Sequence, residues 1–573
     1  MKPNNPHPSS LITDHLDTWS SAIKAKSSAG RGGGKKREFY GIKKLRELIL
    51  ELAVRGLLVP QDSEDESATE CLKKSNSGIL QFKKTPDQSA PSGWLSLPLG
   101  CIIASNIGGG TPSKGNPSYW DGDIPWASVK DIQSEKFIDT AIDSITATGL
   151  KNSSSNLIPP NRLLIVTRMG LGKLAINKCA MAINQDLRAI EPISALDLDY
   201  GYLLFKALNL VGTGMTVKGV KVKELHAIQV LLPPLAEQHR IVAKVDELMA
   251  LCDQLEQQQE DSARTHGNLV GTLLGALTAA SERGQFEEAW QRIEANFDTL
   301  FTTESSIDQL KQTILQLAVM GKLVEQDLGD EPAAKLLKRI AGEKLKLIKE
   351  GKIKKQEPLA EIGDEEIAYD SPEGWTWSRM GDLALYQKGY AFKSAGYLHE
   401  GLMITKIKNL TENHIQNSAY IAPERASELS QYIINKDDIV MTTVGSWFSA
   451  PISAVGRSFL VNEIFDNSLL NQNAVRIRSW RDVSSMYLHI CINSPAFKKY
   501  LIQEAQGTAN QASITQQSIK NFLICVPPNE EQHRIVAKVD ELMALCDRLK
   551  ASLQSTQSTQ LHLADTLVEA AIN

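Results

Sequence analysis

The chain has 573 residues, with 62 Lys plus Arg against 67 Asp plus Glu, a formal net charge of −5 and a pI near 6.1. That length predicts several domains, and the acidic balance argues against a protein that holds nucleic acid by bulk charge. No apolar run is long enough to span a membrane, no secretory signal is legible at the start, and the seven cysteines form no C-x-x-C pair, so reduced, buried thiols in a cytoplasmic protein are expected.

In chain order, residues 1–38 are polar and carry GRGGGKKR (30–37), predicted as a disordered arm whose cations touch phosphates. A helix follows, with Leu45, Ile49 and Leu52 on one face and Gly56 placed to cap it. The stretch GGGTPSKGNPSYWDGDIPWASVKDI (108–132) reads as a Gly/Pro-punctuated loop leading into a short strand. Its Lys114, Tyr119, Trp120, Trp126 and Lys130 interleave aromatics with cations, which suits groove or phosphate contact. The alternative is that the tryptophans are core and the lysines solvated. LLIVTRMG (163–170) is a buried strand ending in a turn with Arg168, and Lys173 lies just beyond. Asn184-Gln185 then precedes strand residues with Arg188. Asn and Gln can read adenine and Arg can read guanine; capping a turn is the favoured role for the Asn-Gln pair.

Pro233-Pro234 ends a strand and admits a helix. In it Ile241, Val245, Leu248, Cys252 and Leu255 step by 4, 3, 4, 3, the a/d spacing of a coiled-coil seam. Running to about Ser281, it would span roughly 65 Å, although Gly267, Gly271 and Gly275 weaken its far end. Leu310, Ile314 and Leu317 mark another helix, with Gly321 as cap. The basic helix Ala333–Lys355 carries Lys338, Lys344, Lys346, Lys349, Lys352, Lys354 and Lys355, which either meet DNA or a partner or form a solvated face. YQKGYAFKSAGY (386–397) brings Lys388 and Lys393; Lys406 and Lys408 follow. IVMTTVG (439–445) fits the slot of 163–170, and Asn471-Gln472 precedes Arg476 and Arg478. After Pro527-Pro528 the seam returns as Ile535, Val539, Leu542, Cys546 and Leu549.

The chain is duplicated. EQHRIVAKVDELMALCD occurs at 237–253 and again, unchanged, at 531–547. LRELILELAVRGLLVPQD (45–62) matches LKQTILQLAVMGKLVEQD (310–327), and Gly93-Trp94 matches Gly374-Trp375. Repeats this long are domains rather than solenoid units. The middles, 96–233 and 376–527, carry net +2 and +3, and the remainder −10. A shared skeleton with diverged, mildly basic middles suggests two related recognition tasks on one helical frame. Two long seams in one chain can pair antiparallel about an approximate twofold axis and offer two similar faces to two copies of one partner.

Catalytic signatures are missing: no phosphate-binding G-x-x-x-x-G-K-[ST] loop, no G-x-S-x-G elbow, no H-E-x-x-H site, and no Asn/Asp before either Pro-Pro pair. The chain resembles the specificity subunits of type I restriction-modification enzymes over nearly its whole length. The resemblance rests on GGTPSKGNPSYWDGDIPWASVKDI, on PPLAEQHRIVAKVDELMALCD and its twin PPNEEQHRIVAKVDELMALCD, on LAVRGLLVPQD (52–62) with LAVMGKLVEQD (317–327), and on LLKRIAGEKLKLIKEGKIKK (336–355).

The resemblance implies an α+β chain. Two mixed α/β target-recognition domains are separated by long antiparallel coiled-coil-like helices, in an internal pseudo-twofold repeat. The expected divisions are the arm 1–38, helical region 39–95, recognition domain 96–233, helical region 234–372, recognition domain 373–527 and helical region 528–573. It implies a non-catalytic subunit that reads a split, asymmetric sequence on double-stranded DNA. It also implies docking of two adenine-N6 methyltransferase subunits and, through them, ATP-driven restriction subunits. S-adenosylmethionine, ATP and Mg2+ then belong to the partners, and no metal or cofactor to this chain. DNA-contact candidates are Lys114, Tyr119, Trp120, Lys130, Arg168, Lys173, Arg188, Lys388, Lys393, Lys406, Lys408, Arg476 and Arg478; the two seams are the spacer and partner-docking candidates. The competing reading is a coiled-coil scaffold that binds no DNA.

Overall fold

The computed structural model describes residues 10–25, 37–75, 90–133, 135–208, 210, 219–355, 357–416, 418–447, 455–508 and 511–572. Five helices frame the chain: α1 (Tyr40–Arg55), α2 (Leu235–Ala279), α3 (Glu304–Val319), α4 (Ala333–Lys349) and α5 (Asn529–Ile572). α2 and α5 are single helices of 45 and 44 residues. α1 ends on Gly56 at φ 71°, and Gly321 takes φ 69° just past α3, the left-handed caps that only glycine adopts freely.

The middles have one topology. In the first, β1 (Leu95–Pro98), β2 (Ile103–Gly108), β3 (Trp120–Ala127), β4 (Asp143–Ile145), β5 (Leu157–Ile158), β6 (Leu163–Val166), β7 (Leu174–Asn177), β8 (Met181–Ile183), β9 (Leu187–Pro192) and β10 (Gln229–Leu232) follow in turn. They form sheets ordered β2-β9-β6-β7, extended by Phe137–Ile138, then β4-β3-β8-β5, and the pair β1-β10. In the second, β11 (Thr376–Arg379), β12 (Ala384–Lys388), β13 (Leu402–Thr405), β14 (Ala419–Ile421), β15 (Ile433–Ile434), β16 (Ile439–Thr442), β17 (Ser458–Leu460), β18 (Ser468–Leu470), β19 (Ala474–Ser479) and β20 (Leu523–Val526) recur in the same sequence. Their sheets are β12-β19-β16-β17, β14-β13-β18-β15 and β11-β20. Only the β3–β8 and β13–β18 pairs in these matched orders are parallel. The runs of apolar residues at β6 and β16 are buried on both faces, as central strands require.

The compact units are not the consecutive sequence repeats. One unit holds the described residues up to 262 together with 556–572; the other holds 263–555. In the first, α1 packs with the start of α2 and the end of α5. Ile42, Leu45 and Ile49 share a core with Ile241, Val245, Leu248 and Cys252 and with Ala564 and Ala571. In the second, α3 packs with the end of α2 and the start of α5. Ile307 and Ile314 join Val270, Leu274 and Leu277 and Ile535, Val539 and Cys546. The same ion pair ties each group: Arg46 to Asp253 (2.7 Å) and Lys311 to Asp547.

The N-terminal segment differs from its expectation. Residues 10–14 and 16–21 are short helices, and Ile12 and Trp19 are fully buried against α1. GRGGGKKR lies outside the described residues except for Arg37, which pairs with Ala25 in a two-residue strand. The basic helix anchors Leu336 and Ile340 in the core and turns Lys338, Lys346 and Lys349 outward, while Lys344 sits 3.5 Å from Asp382.

Candidate nucleic-acid interface

One edge of the first domain gathers most of its predicted cations. β2 ends at Gly108 opposite Arg188, and β6 ends at Val166 opposite Leu187, with Arg168 two residues beyond and beside Asp186. The Lys173 carbonyl accepts from Val166 N–H at 2.9 Å, which brings the turn before β7 to the same edge. β3 ends at Ala127, whose carbonyl accepts from Asn184 N–H at 3.0 Å; a Cβ on Gly170 would meet Val129 at 3.1 Å. Lys130 therefore joins the same rim.

The loop 109–119 is folded down onto this rim. Gly110 N–H donates to the Ile183 carbonyl (3.0 Å), the Trp126 indole to the Gly110 carbonyl (3.0 Å) and the Trp120 indole to the Ser113 carbonyl (3.1 Å). The two indoles meet edge to face, centroids 5.2 Å apart. Trp126 is buried, and its role is to hold the loop; Trp120 and Tyr119 are half-buried. Lys114, Lys130, Arg168 and Lys173 are exposed, with Arg168 3.7 Å from Asp186. Arg188 is half-buried and tethered, donating to the Asn106 side-chain oxygen and, at 3.1 Å, to its carbonyl; burial pushes its pKa down. Asn184 is a turn cap, its side-chain oxygen accepting from Asp186 N–H at 3.1 Å. Gln185 is exposed beside Thr111, whose hydroxyl it accepts, and was not singled out alone by sequence.

The second domain builds the equivalent rim from different residues. Tyr390 N–H donates to the Leu470 carbonyl (2.9 Å), as Gly110 does to Ile183. Gly389 stands where Gly109 does: a Cβ on either would fall 1.9–2.0 Å from a carbonyl oxygen. Lys388 and Lys393 are exposed, and Lys406 lies 4.8 Å over the Tyr397 ring. Lys408 is exposed within a helical turn of Glu412 (3.8 Å). Tyr390 packs on Phe392 and Tyr432, so tyrosines take the place of the indole pair. A three-stranded sheet absent from the sequence reading pairs Val444–Gly445, Gln511–Ser513 and Gln506–Thr508, exposing Gln506 and Gln511. Strands of two or three residues carry no periodicity to detect.

Two groups of residues are corrected. Arg476 is buried and donates to the Gln431 (3.1 Å) and Ile433 (2.5 Å) carbonyls; Arg478 grips Asp438 through two bonds of 2.6 and 2.7 Å and Asn435 at 2.7 Å. Both point between the two sheets, because residues two apart on a strand share a face. They brace β19 to the β15 region, and the strand partner of Lys388 on the rim is Val475 instead. The seam residues are likewise no docking surface. Ile241, Val245, Leu248, Cys252, Ile535, Val539 and Cys546 are buried inside their own units, with Leu255, Leu542 and Leu549 packed partly buried beside them. Any docking face must use other sides of these helices.

The unchanged E-Q-H-R word instead forms a joint between each domain and its helix. Glu237 is 1% exposed and accepts from the Trp94 indole at 2.9 Å and the Gln61 amide at 3.4 Å. Glu531 is 1% exposed and accepts from Trp375 at 2.9 Å and Gln326 at 3.3 Å. Gln238 accepts from Asp197 N–H (2.8 Å) and donates to the Pro233 carbonyl (3.0 Å); Gln532 does the same with Ser484 (2.9 Å) and Pro527 (3.1 Å). Arg240 grips Asp65 (2.5 Å) and Arg534 grips Asp330 (2.6 Å). Burial pushes both glutamates above their ordinary pKa, while Arg240 holds the Asp65 carboxyl below its own. Among the described residues, no cluster of His, Cys, Asp and Glu could hold a metal ion, and no helix is long and apolar enough to cross a membrane.

The family described as "Type I restriction modification DNA specificity domain" matches twice, at residues 91–263 and 372–556. The type I restriction enzyme EcoAI specificity subunit of Escherichia coli is 37% identical, over 98% of this chain and 99% of its own length. The EcoEI specificity subunit of Escherichia coli is 36% identical over the same shares. Among solved structures, the HsdS subunit from Thermoanaerobacter tengcongensis is 16% identical and covers 84% of this chain and 97% of its own, with a TM-score of 0.40.

Proposed function

This chain belongs to the type I restriction-modification specificity subunits, and from that premise we propose that it reads a split, asymmetric target on double-stranded DNA, one half-site per mixed domain. The observation that carries the reading is the pair of rims: a matching order of eight strands beneath, different side chains above. Conserved scaffolding with diverged tips is what two different half-sites require, since base identity is read by the side chains that reach the groove edges. Lys114, Lys130, Arg168, Lys173, Lys388, Lys393 and Lys408, all exposed, are the proposed phosphate contacts, and the half-buried Tyr119, Trp120, Arg188 and Lys406 the proposed groove contacts.

In this reading the recognition domains are 96–233 and 373–527, and the regions 39–95, 234–372 and 528–573 form the frame. α2 and α5 act as spacers; at 1.5 Å per residue each is about 65 Å long, against about 34 Å per turn of B-DNA. The repeated frame docks two adenine-N6 methyltransferase subunits and, through them, ATP-dependent restriction subunits. The chain itself is non-catalytic, works in the cytoplasm, and leaves S-adenosylmethionine, ATP and Mg2+ to its partners. Partner pockets take the flipped adenine.

The test is an exchange of residues 96–233 for the middle of a relative, followed by methylation mapping. The expected product is a target with one half-site changed and the other kept. Persistence of both half-sites overturns the assignment and favours the scaffold reading.

A further inference from the structure

We propose that Glu237 and Glu531, each clamped by a tryptophan and a glutamine, are positioning residues that fix the angle of each recognition domain on its spacer helix and thereby set how strictly the gap between half-sites is measured. The inference rests on the two-half-site reading and assigns the repeated word a task within it.

The geometry is the same twice. A buried carboxylate at the first turn of each long helix takes an indole N–H from the tryptophan just before the first strand of its domain, at 2.9 Å in both units. The same carboxylate takes an amide from Gln61 or Gln326, whose side chain also caps the preceding helix by donating to Gly56 (2.8 Å) or Gly321 (2.7 Å). One ionisable group thus ties three elements: the opening helix, the first strand of the domain and the spacer helix. Removing two carboxylates from water is costly, and apolar residues of the same size would hold a static core as well. What the carboxylate adds is direction, because charge-assisted hydrogen bonds fix donor angles that apolar packing leaves loose. Trp94 and Trp375 each precede the strand that pairs with the strand leading into the helix, so a rotation of the indole is a rotation of the domain. The neighbouring Gln238 and Gln532, each 0% exposed, lock the opposite side of the joint to the loop before the next helix of the domain.

The chemistry discriminates between variants. Glu237→Gln keeps an oxygen for the Trp94 indole but turns an amide donor toward the Gln61 amide. Glu237→Ala and Trp94→Phe remove the indole bond, the second while filling most of the ring's space.

The experiment assembles the full chain with its methyltransferase partner. It measures methylation rates on duplexes carrying the host-derived target, the same target with the gap shortened or lengthened by one base pair, and targets with one half-site scrambled. Thermal melts accompany each variant. The wild type should methylate the native gap selectively. For Trp94→Phe and Glu237→Ala, discrimination against the altered gaps falls about tenfold, the factor carried by one charge-assisted hydrogen bond, while half-site preference stays. Glu237→Gln, which keeps a neutral bond to the indole, falls between the wild type and Glu237→Ala. A lowered melting temperature with unchanged gap discrimination overturns the proposal and leaves a purely structural joint, as does a change of half-site bases. If the wild type methylates no two-part target at all, the underlying reading fails instead.

Discussion

Gly109→Ala tests the rim directly. A Cβ at this position falls 2.0 Å from the Ile183 carbonyl oxygen and 2.5 Å from that of Asn184, where real contacts stay above 3.0 Å. The obstacle is backbone, so no side chain can swing away, and the loop must lift by about 1 Å. Lifting it opens the Gly110–Ile183 hydrogen bond of 3.0 Å. Overpacking and the lost bond together cost about 2–4 kcal/mol. Because the loop lies on the edge of the sheet, that cost falls on loop placement rather than on the core beneath. Affinity for the first half-site should then drop by about 30-fold to 1000-fold, with the second half-site read as before. Competition binding of the assembled complex, on duplexes with either half-site scrambled, measures both preferences. Wild-type preference for both half-sites in Gly109→Ala would refute the placement of the recognition surface on this rim.

Further outcomes follow from the same structure. Arg168→Ala should weaken binding and lower the salt slope by about one unit, whereas Arg476→Ala should lower the melting temperature and leave the slope unchanged, since its guanidinium is occupied by two carbonyls. Ile241→Ala and Ile535→Ala should each cost about 2–5 kcal/mol in urea unfolding, because both are fully buried. Gly267→Ala in α2, where nothing lies within 4 Å of the new methyl, should stabilise by up to about 1 kcal/mol. The raised pKa of Glu237 and Glu531 means that the folded chain binds more protons than the unfolded one above the ordinary value of 4.5, so their contribution to stability falls as pH rises through that window. Glu237→Gln with Glu531→Gln should remove that slope; an unchanged pH profile of the melting temperature would contradict the burial argument.

The duplication, both long helices and their apolar stripes were legible because helical periodicity is a local signal that survives without knowledge of partners. The side on which a strand residue ends was not legible. Arg476 and Arg478 look like Arg188 in sequence, but register with β12 and β16 turns them inward, and register is decided by residues far along the chain. The position of 386–397 in the slot of the loop 108–120 was legible from chain order, but what the two share was not: one glycine, Gly109 or Gly389, pressed on a carbonyl. The N-terminal segment hid its own packing: Trp19 is fully buried in a stretch that reads as polar. The seam was read correctly as apolar, yet periodicity cannot say whether a stripe faces a partner or the chain's own core. Here α1, α3 and the tails of α5 and α2 cover it.

The most direct measurement is single-molecule sequencing of adenine methylation in a host carrying this chain with its methyltransferase partner, compared with the same host lacking the chain. One asymmetric motif in two parts with a fixed gap, present only with the chain, is expected. A continuous motif, or methylation indifferent to the chain's presence, would contradict it.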